Sequence, residues 1–272
     1  MVIYIMLPPM LQFKSIISGS SGNCLLVWSE ATRVMIDCGI HSIRRCKELL
    51  LEHLGPTYSL DALIVSHTHS DHINYSALRF ANEFGINVRV HEKCVHQLAE
   101  KHFNGYNFSD LRLDTFIGSP FKVGDLVIRP VELRHEPLHP TFGFVIDSVS
   151  SSRRIFIATD FTAGNDLPGH LAEADIIFIE SNYDMNLLKK HPNYNSKFHM
   201  SNPRTAQMLY DMRASRQNAP QTVMLGHLSQ QRNTEILATE AVREAFGTFE
   251  TDIDFELLAA PRYQPSAVMT LD

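Results

Sequence analysis

An apolar run, Ala62-Leu63-Ile64-Val65, passes through Ser66 straight into His67-Thr68-His69-Ser70-Asp71-His72. No other stretch restricts the possible folds as much. The run predicts a buried strand, and a loop at its end can turn three imidazoles and one carboxylate toward a single cleft. Imidazole and carboxylate are the ligands expected for Zn²⁺, Mn²⁺ or Fe. With 14 histidines in 272 residues, chance assembly of H-x-H-x-D-H is on the order of one in a few hundred. The motif therefore reads as a metal site rather than a cluster of surface histidines.

A chain of 272 residues can bury a substantial core as one large α/β domain or two small ones. It has no low-complexity tract, repeat or linker-like stretch, so residues 1–272 are expected to form one domain. Strands are predicted at Leu11 to Ile17, Cys24 to Trp28, Arg33 to Ile36, Ala62 to Val65, Leu126 to Val131, Phe142 to Ile146, Ile155 to Ala158 and Ile176 to Ile179. Helical spacing predicts helices at Ile43 to Leu54, Tyr75 to Phe84, Lys93 to His102, Thr205 to Met212 and Glu235 to Phe246. Strand and helix alternate in similar order in both halves, which suits two sheets with helices packed outside them. Ser201-Asn202-Pro203 marks a helix start, with polar caps before a proline that fits the first turn. His199 then lies just ahead of backbone N–H groups that favour an anion.

The formal net charge is −6, which argues against a broad basic face for nucleic acid. Short basic spots remain at Arg44-Arg45, Arg153-Arg154 and Lys189-Lys190, and such pairs are usually solvated surface. No apolar run approaches the roughly 20 residues needed to span a bilayer. The opening Met1 to Leu7 lacks a basic start and reads as a first strand or a loose leader. Cys24, Cys38, Cys46 and Cys94 show no C-x-x-C spacing and read as reduced, buried thiols, from which a cytoplasmic location is expected.

The His67 to His72 motif resembles the signature of the metallo-β-lactamase superfamily, and other motifs follow in order. Within it the chain is most similar to the YycJ (WalJ) group, through Ser18-Gly19-Ser20-Ser21-Gly22-Asn23, Met35-Ile36-Asp37-Cys38-Gly39, Thr159-Asp160, Glu180-Ser181-Asn182-Tyr183-Asp184 and Gly226-His227-Leu228-Ser229. The resemblance implies a four-layer αβ/βα sandwich holding two divalent transition-metal ions, Zn, Mn or Fe. It implies one ion on His67, His69 and His135, a second on Asp71, His72 and His227, and Asp160 between them. His135 is preferred to His139 because it follows its strand directly, whereas His139 sits between prolines and could line the substrate cleft. Asp37 is expected to orient a ligand histidine through its far ring nitrogen.

A two-metal site points to hydrolysis by an activated water. Phe198-His199-Met200-Ser201-Asn202 resembles the loop-histidine motif of tRNase Z-like phosphodiesterases, and Glu180 resembles its acidic partner. Asp71, His199 and Glu180 are accordingly the candidate catalytic groups. A histidine set by a carboxylate can protonate a leaving oxygen and attract phosphate. The resemblance implies a nucleic-acid or nucleotide phosphodiester as substrate, with a nuclease acting on DNA from a 5′ end, a 5′–3′ exonuclease, as the leading reading. A cyclic-nucleotide or other small-molecule phosphodiesterase, a glyoxalase-II-like thioesterase or lactamase, and a non-catalytic metal-binding protein stay open. The Ser18 to Asn23 loop could form an anion-binding concavity or be only a tight turn.

Overall fold

The apolar runs of the chain build two seven-stranded sheets that face each other, the last strand of the second half joining the sheet of the first. The computed structural model describes residues 10–54, 59–162 and 167–271, so the Met1 to Leu7 segment lies outside the described residues. The first half supplies β1 (Leu11–Ile17), β2 (Cys24–Trp28), β3 (Arg33–Ile36), α1 (Ile43–Leu54), β4 (Ala62–Val65), α2 (Tyr75–Phe84), β5 (Val88–His91), α3 (Val95–His102) and β6 (Leu113–Phe116). The second half supplies β7 (Phe121–Val123), β8 (Leu126–Leu133), β9 (Thr141–Ser148), β10 (Arg154–Ala158), α4 (Pro168–Ala172), β11 (Ile176–Glu180), α5 (Met185–Lys190), α6 (Asn202–Ser215), β12 (Thr222–Gly226), α7 (Glu235–Thr248), β13 (Glu256–Ala259) and β14 (Met269–Leu271).

The strand orders are β14-β1-β2-β3-β4-β5-β6 and β13-β12-β11-β10-β9-β8-β7. The joints repeat from sheet to sheet. In the first, β14 to β3 pair antiparallel and β3 to β6 parallel. In the second, β7 to β10 pair antiparallel and β10 to β13 parallel.

Three apolar layers hold this together. Between the sheets lie Phe13, Ile36, Ile64, Phe144, Ile157 and Phe178, all buried, and the Phe13 and Phe178 rings meet at 5.5 Å. Outside the first sheet, Met35, Leu63 and Val65 pack with Phe80 of α2 and Leu98 of α3. Outside the second, Phe156, Ile177 and Val223 pack with Leu209 of α6 and Phe246 of α7. Each such side chain contributes about 1.5–3 kcal/mol on leaving water. The result is the expected four-layer αβ/βα sandwich.

All eight predicted strands are present, some one to three residues longer. The helix expected from Lys93 begins instead with a 3-10 turn, Glu92–Cys94, and becomes α-helical at Val95. The helix expected from Thr205 starts earlier, at Asn202, but Ser201 makes no side-chain capping bond. All four cysteines are free and buried. Among the described residues no helix is long and apolar enough to cross a membrane.

Parallel strands leave their carboxyl ends at a common edge, where α/β proteins bind ligands. Asp37 follows β3 and His67 to His72 follow β4; Asp160, Glu180 and His227 stand at the ends of β10, β11 and β12. Asp37, Asp160 and His227 are left-handed, at φ 59°, 59° and 52°. Asp and His tolerate that region better than most residues, and here it turns each side chain back over a strand end.

Candidate metal centre

His67, His69, His135 and Asp160 each offer an atom within 4.8 Å of the others, and Asp71, His72 and His227 do the same. The two groups touch through Asp160. Its Oδ2 lies 2.9 Å from His72 Nε2 and 3.5 Å from His227 Nε2, and its Oδ1 lies 3.8 Å from His135 Nε2. His67 Nε2 and Asp160 Oδ2 are buried and make no hydrogen bond. A buried polar atom without a partner is costly, and a cation placed among these atoms would satisfy both.

The far nitrogen of every candidate ligand histidine faces an oxygen, which is how metal-binding imidazoles are oriented. His72 Nδ1 lies 2.7 Å from Asp37 Oδ2, and His227 Nδ1 lies 2.7 Å from Glu180 Oε1. His135 Nδ1 donates to the Phe198 carbonyl at 3.1 Å. His67 Nδ1 lies 3.0 Å from Ser66 Oγ, which itself donates to Asp37 Oδ2 at 2.7 Å. His69 turns Nδ1 toward His135 and Nε2 toward Glu136, 3.5 Å away. Asp37 thus stands behind one histidine of each group, and Ser66 N–H donates to its second oxygen at 2.7 Å.

Charge in this cleft runs in two directions. Burial, helped by the charge of His72, holds His67 well below the ordinary imidazole range, and burial brings His69 down to about 4. Both are neutral and ready to ligate. Burial also opposes charge on His72 and His227, but Asp160, Asp37 and Asp71 overcome it for His72 and raise it well above its usual range. Asp160, Asp71 and Glu180 lift His227 to about 10. Burial would raise Asp160, yet His227 and His72 hold it well below the usual carboxylate range. The carboxylates draw positive charge into the second group, as protons or as a cation.

His199 reaches the same cleft. Its Nδ1 is 2.7 Å from Glu180 Oε1 and 3.6 Å from Asp160 Oδ1, and its side chain is 17% exposed. Burial lowers its proton affinity, but the Glu180 carboxylate reverses this and leaves it raised. Glu180 Oε1 therefore faces two imidazoles, while Oε2 accepts from Phe161 N and Met200 N, each at 3.2 Å. The anion that meets the backbone ahead of α6 is the chain's own Glu180.

His139 stands outside both groups, 4.4 Å ring to ring from His69 and 3.1 Å from Lys101 Nζ. It can form a separate cluster with His69 and Glu136. The Ser18 to Asn23 loop is a brace rather than an open nest. Gly19 N donates to Asn23 Oδ1, Gly22 N to the Gly19 carbonyl and Asn23 N to the Asp71 carbonyl, and Ser18 Oγ accepts from His227 N at 2.8 Å. Gly39 lies so close to the Asp71 carbonyl that any Cβ there would collide with it.

Sequence reasoning did not single out Ser66, Glu136, Asn182 or the Phe198 carbonyl. Asn182 Nδ2 donates to the His227 carbonyl at 2.8 Å. His102 also donates Nε2–H to the Thr68 carbonyl at 2.8 Å and so pins the candidate ligand loop to α3. A signal existed for Asn182, inside the Glu180 to Asp184 motif; none marks a backbone carbonyl.

Residues 32–227 match the family described as the β-lactamase superfamily domain. Exodeoxyribonuclease WalJ of Streptococcus pneumoniae is 27% identical over 237 residues, 84% of this chain and 85% of that protein. The metallo-β-lactamase fold protein YhfI from Bacillus subtilis superposes with a TM-score of 0.70 at 18% identity, covering 96% of this chain and 99% of its own. Yeast PDE1 superposes with a TM-score of 0.71 at 11% identity, covering 94% and 99%. The two structural likenesses bear on the fold alone. The family match covers most of the chain and spans the histidine motif, Asp160 and His227, so the chain belongs to the metallo-β-lactamase superfamily, as one of its hydrolases.

Proposed function

We propose that the chain is a two-metal phosphodiester hydrolase that shortens DNA from a 5′ end, working as one cytoplasmic domain whose two sheets share the site. The DNA substrate is supported by the exodeoxyribonuclease relatives, which match at 25–27% identity. Phosphodiester chemistry is supported by the His199–Glu180 pair at 2.7 Å, which a metal shell alone does not require.

His67, His69 and His135 would hold one divalent ion, Asp71, His72 and His227 a second, with Asp160 between; Zn²⁺ or Mn²⁺ suits this donor set. When bound, such ions supply an activated water and offset charge on phosphate oxygens. Asp37, Ser66, Glu136 and Glu180 fix the ring orientations. Asp71 links the ligand set to the exposed side of the cleft, its side chain being 21% exposed. With Nδ1 held by Glu180, His199 keeps Nε2 as the nitrogen that can give a proton to the departing oxygen. Its raised proton affinity keeps that proton available near neutral pH.

The test is the dependence on the leaving group. His199→Ala should keep its metals and lose about 10²- to 10⁴-fold in turnover on a DNA strand. Bis-p-nitrophenyl phosphate, whose leaving group needs little protonation, should lose far less. Equal losses on both would reassign His199 to phosphate positioning, and a wild-type protein that releases no nucleotide from DNA would refute the substrate.

A further inference from the structure

The three basic dipeptides of the sequence meet different fates. Arg44 and Arg45 pair with Glu48. Arg153 pairs with Asp175, and Arg154 with Asp147 and Glu173. Lys189 and Lys190, in the last turn of α5, have no carboxylate partner among the described residues, and neither does nearby Lys197. Positive charge left unpaired on a chain of net charge −6 is available to an anion.

Beside these lysines is a groove of about 490 Å³ lined by Met185, Leu188, Lys189, Pro192, Asn193 and Tyr194. The Tyr194 residue is 76% exposed. Single exposed apolar side chains are ordinary, but this one is held in place and placed in a series. A 3-10 turn, Tyr194–Phe198, carries it, with Asn193 capping Asn195 N–H at 3.0 Å and Ser196 buried beneath. Lys197 Nζ lies 3.6 Å from the Tyr194 ring centre and 4.7 Å from that of Phe198. The Tyr194 and Phe198 rings are 6.4 Å apart, and Phe198 is 6.1 Å from His135. Two ring steps therefore lead from an exposed aromatic face to a candidate metal ligand.

An exposed ring beside unpaired lysines, continuous with a phosphodiesterase site, is the arrangement by which proteins hold single strands: bases stack and cations follow phosphates. We propose that Tyr194 is a stacking platform for a base of a single DNA strand, whose phosphates are met by Lys189, Lys190 and Lys197 on its way to the metal centre. The proposal rests on the phosphodiesterase reading above. It also accounts for strand binding without a broad basic face.

The experiment uses the full chain and a short phosphorothioate-linked single strand, which resists cleavage, alongside the same strand carrying abasic positions. Fluorescence anisotropy should show the base-bearing strand bound about 10- to 100-fold more tightly. Tyr194→Ala should abolish that preference and Tyr194→Phe should keep it, and both should melt with the wild type because the ring is exposed. Lys189→Ala with Lys190→Ala should flatten the salt dependence of binding. A Tyr194→Ala protein that retains the full preference for bases overturns the proposal. The failures are separable: a wild type that cuts DNA without preferring bases loses the platform and keeps the function, whereas one that prefers bases and never cuts loses the function alone.

Discussion

Asp37→Asn is a nearly isosteric change that should disable the second metal position without touching a ligand. The buried Asp37 carboxylate accepts three hydrogen bonds, from Ser66 N, Ser66 Oγ and His72 Nδ1, each at 2.7 Å. Asparagine tolerates the left-handed backbone at φ 59° and can still accept from Ser66 N–H. Its amide NH₂ then replaces Oδ2 and meets two groups that were donating to it. Two hydrogen bonds to a charged acceptor are lost, at about 1.5–3 kcal/mol each. The neutral His72 imidazole, the form that ligates, then favours the tautomer protonated at Nε2 over the one protonated at Nδ1, which leaves no lone pair facing the metal position. Loss of such an orienting partner costs about 10- to 100-fold in metal affinity, or roughly 1.4–2.7 kcal/mol. His67 should be disturbed less, since Ser66 stands between it and Asp37. Competition with a chromophoric chelator measures the affinities, and ¹⁵N shifts of the imidazoles report the tautomer. An Asp37→Asn protein that loads metal as tightly as wild type, with His72 still protonated at Nδ1, would refute the reasoning.

His135→Ala should lower metal content, whereas His139→Ala, outside both ligand groups, should leave it intact and alter at most substrate affinity; metal analysis of both variants decides, and the reverse pattern would transfer the role to His139. Metal binding should tighten as pH rises from 6 toward 9, because His72 and His227 sit protonated in the metal-free cleft and must give up those protons; calorimetry in buffers of different ionisation enthalpy reads the proton release. The same shift works oppositely on the metal-free fold. His227, raised to about 10, gives its full stabilisation below its unfolded value of about 6.5 and loses it as pH passes through about 10. Denaturant melts of chelator-treated protein across that window should therefore show falling stability, and a rise would contradict the assignment.

The candidate ligand motif was legible because it is local: a buried strand and four donor side chains within six positions say most of what the fold then does with them. Asp160 and His227 were not legible in that way, since a lone Asp or His after a strand is chemically unremarkable. Resemblance nominated them as ligands, and the geometry brings them to His72. Strands with pronounced apolar runs were readable, while β5, β6, β7, β13 and β14 were not, being three or four residues long and at or near sheet edges. β12 was missed for a different reason: Thr222–Gly226 is buried throughout, but its apolar run is only Val223-Met224-Leu225 between a threonine and a glycine, too short to read as a buried strand. The bracing role of the Ser18 to Asn23 loop depends on the Asp71 carbonyl and the His227 amide, and contacts to backbone atoms leave no mark on a side-chain pattern.

The candidate ligands are drawn unevenly from the two sheets: His67, His69, Asp71 and His72 from the first, His135, Asp160 and His227 from the second. Metal in this cleft would rivet the halves together, so its loading is also a mechanical variable. A ligand present at about 1,000 times its dissociation constant stabilises by about 4.1 kcal/mol, and here that energy acts across one seam. The C-terminal β14 crosses back to β1, pairing Leu271 with Leu11, and is a second fastening on the same pair of bodies. Removing metal should therefore raise the amplitude of hinge-like opening at the cleft while each outer core, with its own helices, stays closed. Amide exchange would register this as lost protection at the strand ends around Asp37, Asp160 and His227, with little change in the middles of β4 and β11.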